Sequence, residues 1–173
     1  MQKRANAVTF KGNPLALVGP ELKPGDKAPD FSCLSGLDLV SLSQTPAKAR
    51  LFSVVPSLDT PVCSIQTKKF NEALGGLKDK VACYTISLDL PFAQKRFCGS
   101  ENITNMQTLS DVHNRSFGEH YGTLIEGLSL PLLSRAVFVV DKGGKITYAE
   151  YVTEVAAEPN YDAALAALKA AAG

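Results

Sequence analysis

One stretch, Leu51–Gln66, constrains the fold of this chain more than any other. Its first five residues, Leu51–Val55, form an apolar run that predicts a buried strand. A loop bounded by Pro56 and Pro61 follows, and the residues after it have helical spacing. Thr60 fits the N-cap of that helix, with its hydroxyl accepting from amides two or three residues on, and the proline fits the first helical position. The stretch therefore predicts a strand, a rigid loop and a helix.

Cys63 falls in the first turn of this predicted helix. The unpaired amides and the positive end of the helix dipole favour a thiolate over a thiol there. We expect the helix to run from Pro61 to about Leu77, with Gly75–Gly76 stopping it. Its expected apolar face contains Val62, Ile65, Phe70, Ala73 and Leu74. A buried structural cysteine is the usual alternative, but the cap, the proline and the loop favour a reactive sulfur.

The composition is that of a folded protein with a substantial core. The chain has 173 residues, of which 45% are hydrophobic and 20% charged, with a net charge of +1. This predicts a single domain over residues 1–173. Basic residues are scattered, which argues against nucleic acid as a partner, because phosphate binding needs a concentrated basic face. No run is long enough to cross a membrane and no signal-peptide pattern is visible, so we expect a cytoplasmic protein.

The cysteines do not form a recognisable metal or dithiol pattern. They are Cys33, Cys63, Cys83 and Cys98. No two of them make a Cys-x-x-Cys pair, so the sequence predicts no zinc ribbon, no bound metal and no thioredoxin-type dithiol. Cys83 lies inside a predicted strand and is expected in the core. Cys33 is expected to pack under the sheet, with no catalytic role.

Cys98 ends a short predicted helix. Pro91 suits the start of that helix and Gly99 its end. Lys95 and Arg96 stand beside the cysteine, and their charges would lower the pKa of its thiol. A surface cysteine on a solvated basic face is the alternative interpretation of this segment.

The order of the stronger elements predicts the fold class. Two apolar runs around Lys11–Pro14 predict an N-terminal hairpin. The strand and helix of the opening stretch, followed by Val81–Ile86, predict a β-α-β unit with parallel strands. Ala136–Val140 and Ile146–Val152 predict an antiparallel hairpin, and Tyr161–Ala172 an alanine-rich helix. Together they predict an α/β, thioredoxin-like fold, in which helices flank a mixed central sheet and an N-terminal β-hairpin is added.

The segments between these elements are less clearly patterned. Phe31–Cys33, Leu37–Leu42 and Thr108–Ser110 predict short strands, and Arg115–Tyr121 a turn or two of helix. Gly122–Leu133 is rich in glycine and leucine and fits no element.

The motif around Cys63 resembles that of the peroxiredoxins. Pro56-x-x-x-Thr60-x-x-Cys63 is similar to their peroxidatic motif, and Leu90–Cys98 resembles the bacterial thiol peroxidase subgroup, the atypical two-cysteine type. Arg135–Asp141 resembles the arginine strand of that subgroup. The resemblance covers nearly the whole chain. It implies a thioredoxin fold, a homodimer, hydroperoxide substrates and thioredoxin as reductant, with no cofactor.

The resemblance also implies roles for individual residues. Cys63 is expected to be the peroxidatic cysteine, and Cys98 the resolving cysteine of the same chain. Thr60 and Arg135 are expected to complete the pocket, the arginine because its guanidinium stays charged and offers a planar set of donors. Pro56 is expected to fix the loop and shield a sulfenic acid from water. Because a second thiol in contact would block the pocket, we expect the resolving cysteine to wait elsewhere until local unwinding brings the two together.

Other classes of protein stay open at this stage. A cysteine hydrolase or acyl transferase would need a histidine base near the nucleophile. The chain has only His113 and His120, and neither stands in a recognisable catalytic motif. A non-catalytic thioredoxin-fold module for redox sensing or binding would share the fold without turnover. A peroxiredoxin of another two-cysteine subgroup is the third alternative.

Overall fold

The computed structural model describes residues 1–77 and 79–173. Its strands are β1 (Lys3–Phe10), β2 (Asn13–Val18), β3 (Ser32–Ser35), β4 (Asp38–Ser41), β5 (Ala49–Val54), β6 (Val81–Ser87), β7 (Gln107–Ser110), β8 (Leu124–Glu126), β9 (Ala136–Val140) and β10 (Ile146–Tyr151). Its α-helices are α1 (Pro61–Ala73), α2 (Pro91–Ser100), α3 (Ser116–His120) and α4 (Tyr161–Ala172), and a 3₁₀ turn covers Leu42–Gln44.

A mixed seven-stranded sheet forms the centre of the molecule, as predicted. Its strand order is β10-β9-β5-β6-β7-β3-β4. The three strands β5, β6 and β7 run parallel, whereas β9 pairs antiparallel with both β5 and β10. The predicted β-α-β unit is present, because α1 connects the parallel pair β5 and β6. Strand β3 and the edge strand β4 form an antiparallel hairpin.

The N-terminal hairpin belongs to a separate three-stranded sheet, with the order β1-β2-β8. The hairpin itself was predicted, but its turn is shifted. Lys11 (φ 49°) and Gly12 (φ 82°) form the turn, and Asn13 already belongs to β2. A pair of left-handed residues suits a tight hairpin. The third strand, β8, comes from the unassigned segment Gly122–Leu133 and pairs with β2.

The central strand β5 carries side chains into two separate cores. All six of its residues are buried. Phe52 and Val54 pack into a cluster with Phe117 and Tyr121. Leu51 packs on the opposite face, where α1 and α4 cover the sheet. Because both faces are covered, β5 is fixed in position and so is the loop that leaves its carboxyl end.

Helix α1 begins where the sequence predicts and ends earlier. Pro61 is its first residue, and Thr60 has the extended backbone of an N-cap (φ −100°, ψ 149°). The helix ends at Ala73, four residues before the predicted end. The Leu74 amide donates to the Phe70 carbonyl at 3.0 Å and closes the last turn. The paired glycines that follow stop it, as expected.

The buried face of α1 differs from the predicted apolar face. Phe70 and Leu74 are buried as expected, but Ile65 is 41% exposed. Gln66 and Thr67 are fully buried instead. These polar side chains are tolerated inside because each has a hydrogen-bond partner there. The functional site described below supplies those partners.

Helix α2 begins at Pro91 as predicted but continues through Gly99 to Ser100. The chain turns at Asn102 instead, which has a left-handed backbone (φ 54°). The Ile103 amide then donates to the Cys98 carbonyl at 3.0 Å. This is the closing bond of a left-handed helix terminus, so the asparagine takes the role that the sequence assigned to glycine.

In the part of the chain that the structure describes, no helix combines the length and the apolar character needed to span a membrane.

Candidate active site

Cys63 lies in the first turn of α1, at the carboxyl end of β5. It has no exposed surface. The turn is well formed, since the Ser64 amide donates to the Thr60 carbonyl at 3.1 Å and the Thr67 hydroxyl donates to the Cys63 carbonyl at 2.9 Å. The amides ahead of these bonds have no partner within the helix. They and the helix dipole therefore present positive charge to the sulfur.

Arg135 is directed at this sulfur from the neighbouring strand. It precedes β9, whose first residue pairs with Val54 at the end of β5, so the arginine and the cysteine meet at one edge of the sheet. Its Nη2 lies 3.4 Å from Cys63 Sγ. Arg135 is 2% exposed, and none of the ion pairs in the described part of the chain involves it. This buried positive charge is therefore in direct contact with the sulfur.

Two further contacts fix the plane of the guanidinium. Its Nη1 donates to Gln66 Oε1 at 2.9 Å, and its Nε donates to the Val155 carbonyl at 2.9 Å. The glutamine is held in turn, since its Nε2 donates to Ser53 Oγ at 2.7 Å. The arginine thus has three partners on three sides, and its orientation is set before any substrate arrives.

Sequence reasoning missed Gln66 and Val155. The glutamine lies three residues after the cysteine and therefore on the same face of α1. This spacing is the only sequence signal that could have identified it. Val155 contributes a backbone carbonyl from the loop between β10 and α4. No side-chain pattern reports such a contact.

Thr60 lies at the site but does not make the predicted capping bond. Its hydroxyl donates back to the Ser57 carbonyl at 2.9 Å, and its amide donates to the same carbonyl at 3.1 Å. No helix amide donates to the hydroxyl in the described structure. The tight turn over residues 57–60 offers the hydroxyl a nearer partner, which explains the difference. Its oxygen can still accept a hydrogen bond.

A pocket of about 520 Å³ opens beside these residues. Pro56, Thr60 and Arg135 line it, together with Phe10, Lys11, Ser57, Pro61, Val62, Leu130, Leu132, Val155 and Ala156. Its walls are mostly apolar, and Arg135, which contacts Cys63, is among its polar lining residues. The tip of the N-terminal hairpin and the loop after β8 supply one wall, so the small second sheet helps to build the pocket.

Cys98 lies in the last turn of α2 and lines a different pocket, of about 430 Å³, with Phe92, Met106 and Thr108. It is half-buried, and burial raises the pKa of its thiol. The expected lowering of the pKa by basic neighbours is therefore wrong. Arg96 does not serve the thiol, because it pairs with Asp59 at 3.2 Å.

The other two cysteines lie in the cores, as predicted. Burial raises the pKa of the Cys83 thiol to about 12. Burial and the neighbouring carboxylate of Asp111, which accepts from Cys33 Sγ at 3.5 Å, raise the pKa of the Cys33 thiol well above its ordinary value. Both sulfurs are therefore held as unreactive thiols. All four cysteines are free thiols in the structure.

The hydrolase alternative gains no support from the geometry. His120 is directed at the Asp30 carbonyl, 2.7 Å away. Among the described residues, Arg135 is the side chain bonded to Cys63 Sγ, and neither histidine is. A nucleophile without a base does not make an acyl-transfer site. The same residues contain no group of three or more His, Cys, Asp or Glu that could hold a metal ion.

The fold and the site together define a class of protein. A thioredoxin-type sheet in which a cysteine at a helix start contacts a buried arginine is the arrangement expected of the peroxiredoxins, and the comparisons with known proteins agree. The redoxin family model matches residues 23–165. A curated thiol peroxidase from Halalkalibacterium halodurans is 51% identical over 166 residues, which cover 95% of this chain and 98% of the relative.

Solved structures give the same answer. A peroxiredoxin-like protein from Aquifex aeolicus superposes with a TM-score of 0.88 at 46% identity, over 96% of this chain and 97% of its own. A thiol peroxidase from Chromobacterium violaceum has a TM-score of 0.85 at 20% identity, over 94% of this chain and 95% of its own, and supports the fold alone. The chain belongs to the redoxin family, and it resembles curated thiol peroxidases over nearly its whole length. Its activity is that of a thiol-dependent peroxidase of the peroxiredoxin type.

Proposed function

We propose that Cys63 is the peroxidatic cysteine and that Arg135 activates it. The contact of 3.4 Å between the guanidinium and Sγ is the observation that carries this assignment. The thiolate attacks one oxygen of a hydroperoxide, a sulfur–oxygen bond forms and the oxygen–oxygen bond breaks. The cysteine becomes a sulfenic acid, and the other oxygen takes up a proton and leaves as water or an alcohol.

The residues around the sulfur have distinct roles in this step. Arg135 stabilises both the thiolate and the negative charge that develops on the leaving oxygen. The Thr60 hydroxyl donates its hydrogen bond to the Ser57 carbonyl, so its oxygen accepts from the O–H of the hydroperoxide. Pro56 is buried at the base of the pocket and shields the sulfenic acid from water. The apolar walls accommodate the organic part of an alkyl hydroperoxide as well as hydrogen peroxide.

The second half of the cycle uses Cys98. Its thiolate attacks the sulfenic sulfur of Cys63, so that a disulfide forms and hydroxide leaves as water. A disulfide needs Cα atoms roughly 4.4–6.8 Å apart. The two cysteines lie in different surroundings, one beneath the substrate pocket and the other in the pocket behind α2. We therefore expect the start of α1, the end of α2 or both to unwind after oxidation.

A dithiol protein closes the cycle by reducing the disulfide, and thioredoxin is the reductant that the family resemblance implies. The same resemblance supports a homodimer. We expect a cytoplasmic location, where thiol-reducing systems operate.

The central experiment measures hydroperoxide consumption with thioredoxin, thioredoxin reductase and NADPH. We expect wild type to turn over both hydrogen peroxide and an organic hydroperoxide, and Cys63→Ser to be inactive but folded. Cys83→Ser is the matched control, because it removes a cysteine from a core strand and should retain activity. Multiple turnovers by Cys63→Ser would exclude this cysteine as the nucleophile. A single stoichiometric oxidation of wild type without turnover would identify a redox-sensing module instead.

Amide hydrogen exchange tests the unwinding step. Residues 61–70 and 91–99 should exchange faster in the oxidised protein than in the reduced protein. Helix α4, residues 161–172, serves as an internal control and should be protected in both states. Equal protection of all three segments in the two states would mean that the sulfurs meet without unwinding.

A further inference from the structure

A second pocket, of about 590 Å³, lies far from Cys63. It sits at the amino end of β5, whereas the peroxidatic loop leaves the carboxyl end. Arg50 in this pocket and Pro56 at the base of the other are six residues apart along the chain, roughly 20 Å at the rise of a strand. The two pockets share no lining residue. This one plays no part in the peroxidase cycle described above.

Arg50 is the unusual feature of this second pocket. It lines the pocket but is only 5% exposed. Its Nη1 donates to Thr45 Oγ1 at 3.2 Å and its Nη2 to the Asp141 carbonyl at 2.7 Å, and both acceptors are neutral. Its Nε finds no acceptor in any residue that the structure describes. A guanidinium has five N–H donors, so most of its hydrogen-bonding capacity is unused.

No carboxylate forms an ion pair with this buried cation in the described residues. The Asp141 carboxylate is already engaged, because it accepts from the amides of Gly143 and Lys145, each at 2.9 Å. The Asp30 carboxylate lines the pocket and is engaged by the Phe31 amide at 2.9 Å and the Leu42 amide at 3.0 Å. A buried charge normally has an ionic partner. An anion in the pocket would supply one.

The residues at the rim and in the walls indicate which kind of anion the pocket would bind. Lys27 and Lys142 line the rim, so three cations face the pocket against the single carboxylate of Asp30. Ala28, Pro29, Leu42 and Ala47 supply apolar wall, and the rest of the lining is Ser43, Thr45, Gly143 and Gly144. The volume falls in the range of small-molecule sites. Charge at one end and apolar walls beside it suit an amphipathic ligand better than a bare inorganic ion.

We propose that this pocket binds a small organic anion. A carboxylate or phosphate group would lie against Arg50, within reach of the two lysines, and a short apolar body would lie on the walls. Both groups match the planar donors of a guanidinium. The site is independent of the peroxidase reaction, so binding needs neither Cys63 nor peroxide.

Calorimetric titration of the reduced protein tests this with three probes: benzoate, phenyl phosphate and inorganic phosphate. We expect an aromatic anion to bind more tightly than inorganic phosphate, and its binding to weaken as salt is added. Lys27→Gln/Lys142→Gln should weaken binding about tenfold, since two charge-assisted contacts are lost. Lys145→Gln is the matched control, because this lysine is a close neighbour outside the lining and should leave binding unchanged.

Arg50→Met provides the second variant and should abolish binding. Circular dichroism checks that this variant folds. If it does not fold, the double lysine variant, which retains Arg50, still tests the proposal. Peroxidase turnover of the lysine variants should equal that of wild type. No saturable binding of any probe would overturn the proposal, as would inorganic phosphate binding as tightly as both aromatic anions. Equal binding by wild type and the double lysine variant would overturn it too.

Discussion

The substitution Gln66→Glu separates the charge of Arg135 from its geometry. The glutamine accepts from Nη1 at 2.9 Å, and the adjacent Nη2 lies 3.4 Å from Cys63 Sγ. Glutamate has the same shape, keeps this hydrogen bond and adds a negative charge about 6 Å from the sulfur. Two like charges at that distance repel by about 3 kcal/mol at an effective dielectric constant of about 20. The ratio of thiolate to thiol at a given pH should therefore fall about a hundredfold.

Two measurements report the change in the ionisation of Cys63 directly. The midpoint of the pH profile for alkylation of Cys63, resolved by mass spectrometry, should move up by about two pH units. The single-turnover rate with hydrogen peroxide, measured at a pH below the wild-type midpoint of that profile, should fall about a hundredfold, because only the thiolate reacts.

Gln66→Met is the matched control for this prediction. It has a similar length and carries no charge, and it removes the acceptor for Nη1. A small shift in the control and a large one in Gln66→Glu would assign the effect to charge. If both variants shifted the profile equally, the orientation of Arg135 would matter and its charge would not. An unchanged profile in Gln66→Glu would refute electrostatic activation of Cys63 by this arginine.

Two other predictions concern the resolving step. Cys98→Ser should consume one hydroperoxide per chain and then stall, with Cys63 progressing to the sulfinic acid. Peptide mass mapping should show a Cys63–Cys98 disulfide in wild type. A disulfide between Cys63 and Cys83 as the main product would contradict the assignment. Burial raises the pKa of Cys98 above its ordinary value of 9.0. If the start of α1 alone unwinds and α2 stays folded, attack by this thiol should therefore speed up about tenfold per pH unit from pH 7 to 9. Stopped-flow measurement of disulfide formation tests this dependence, and a rate that levels off below pH 8 would argue against it.

The parts of the site that the sequence predicted all rest on strong local signals. The proline at the start of α1 fixes the register of Cys63, and the most apolar run in the chain places Arg135 immediately before β9. The β-α-β unit and the strand pairing then bring these two positions to one sheet edge. Each step needed only periodicity and a topological rule.

The errors arise where tertiary contacts outweigh local preference. A glutamine in a helix is usually solvated, but Gln66 is buried because Arg135 and Ser53 use both ends of its amide. Basic neighbours suggested a low pKa for Cys98, but desolvation outweighs exposed charges that water screens. The strand β8 exists because β2 offers it a partner, and its own sequence carries little signal.

Asp89 connects the two halves of the proposed cycle physically. Its Oδ1 accepts from Ser57 Oγ at 2.8 Å, and its Oδ2 accepts from the Leu58 amide at 2.8 Å and from Ser87 Oγ at 2.7 Å. The first two bonds hold the loop ahead of Cys63, and Asp89 itself lies just before α2. One carboxylate therefore ties the peroxidatic loop to the helix that carries Cys98. When the peroxidatic loop or α2 unwinds, these hydrogen bonds must either move with the unwinding segment or break. Hydrogen bonds to a charged acceptor are worth about 1.5–3 kcal/mol each. In the proposed cycle this tie favours the folded form that admits peroxide, and any of these bonds that unwinding breaks is offset only once the disulfide has formed.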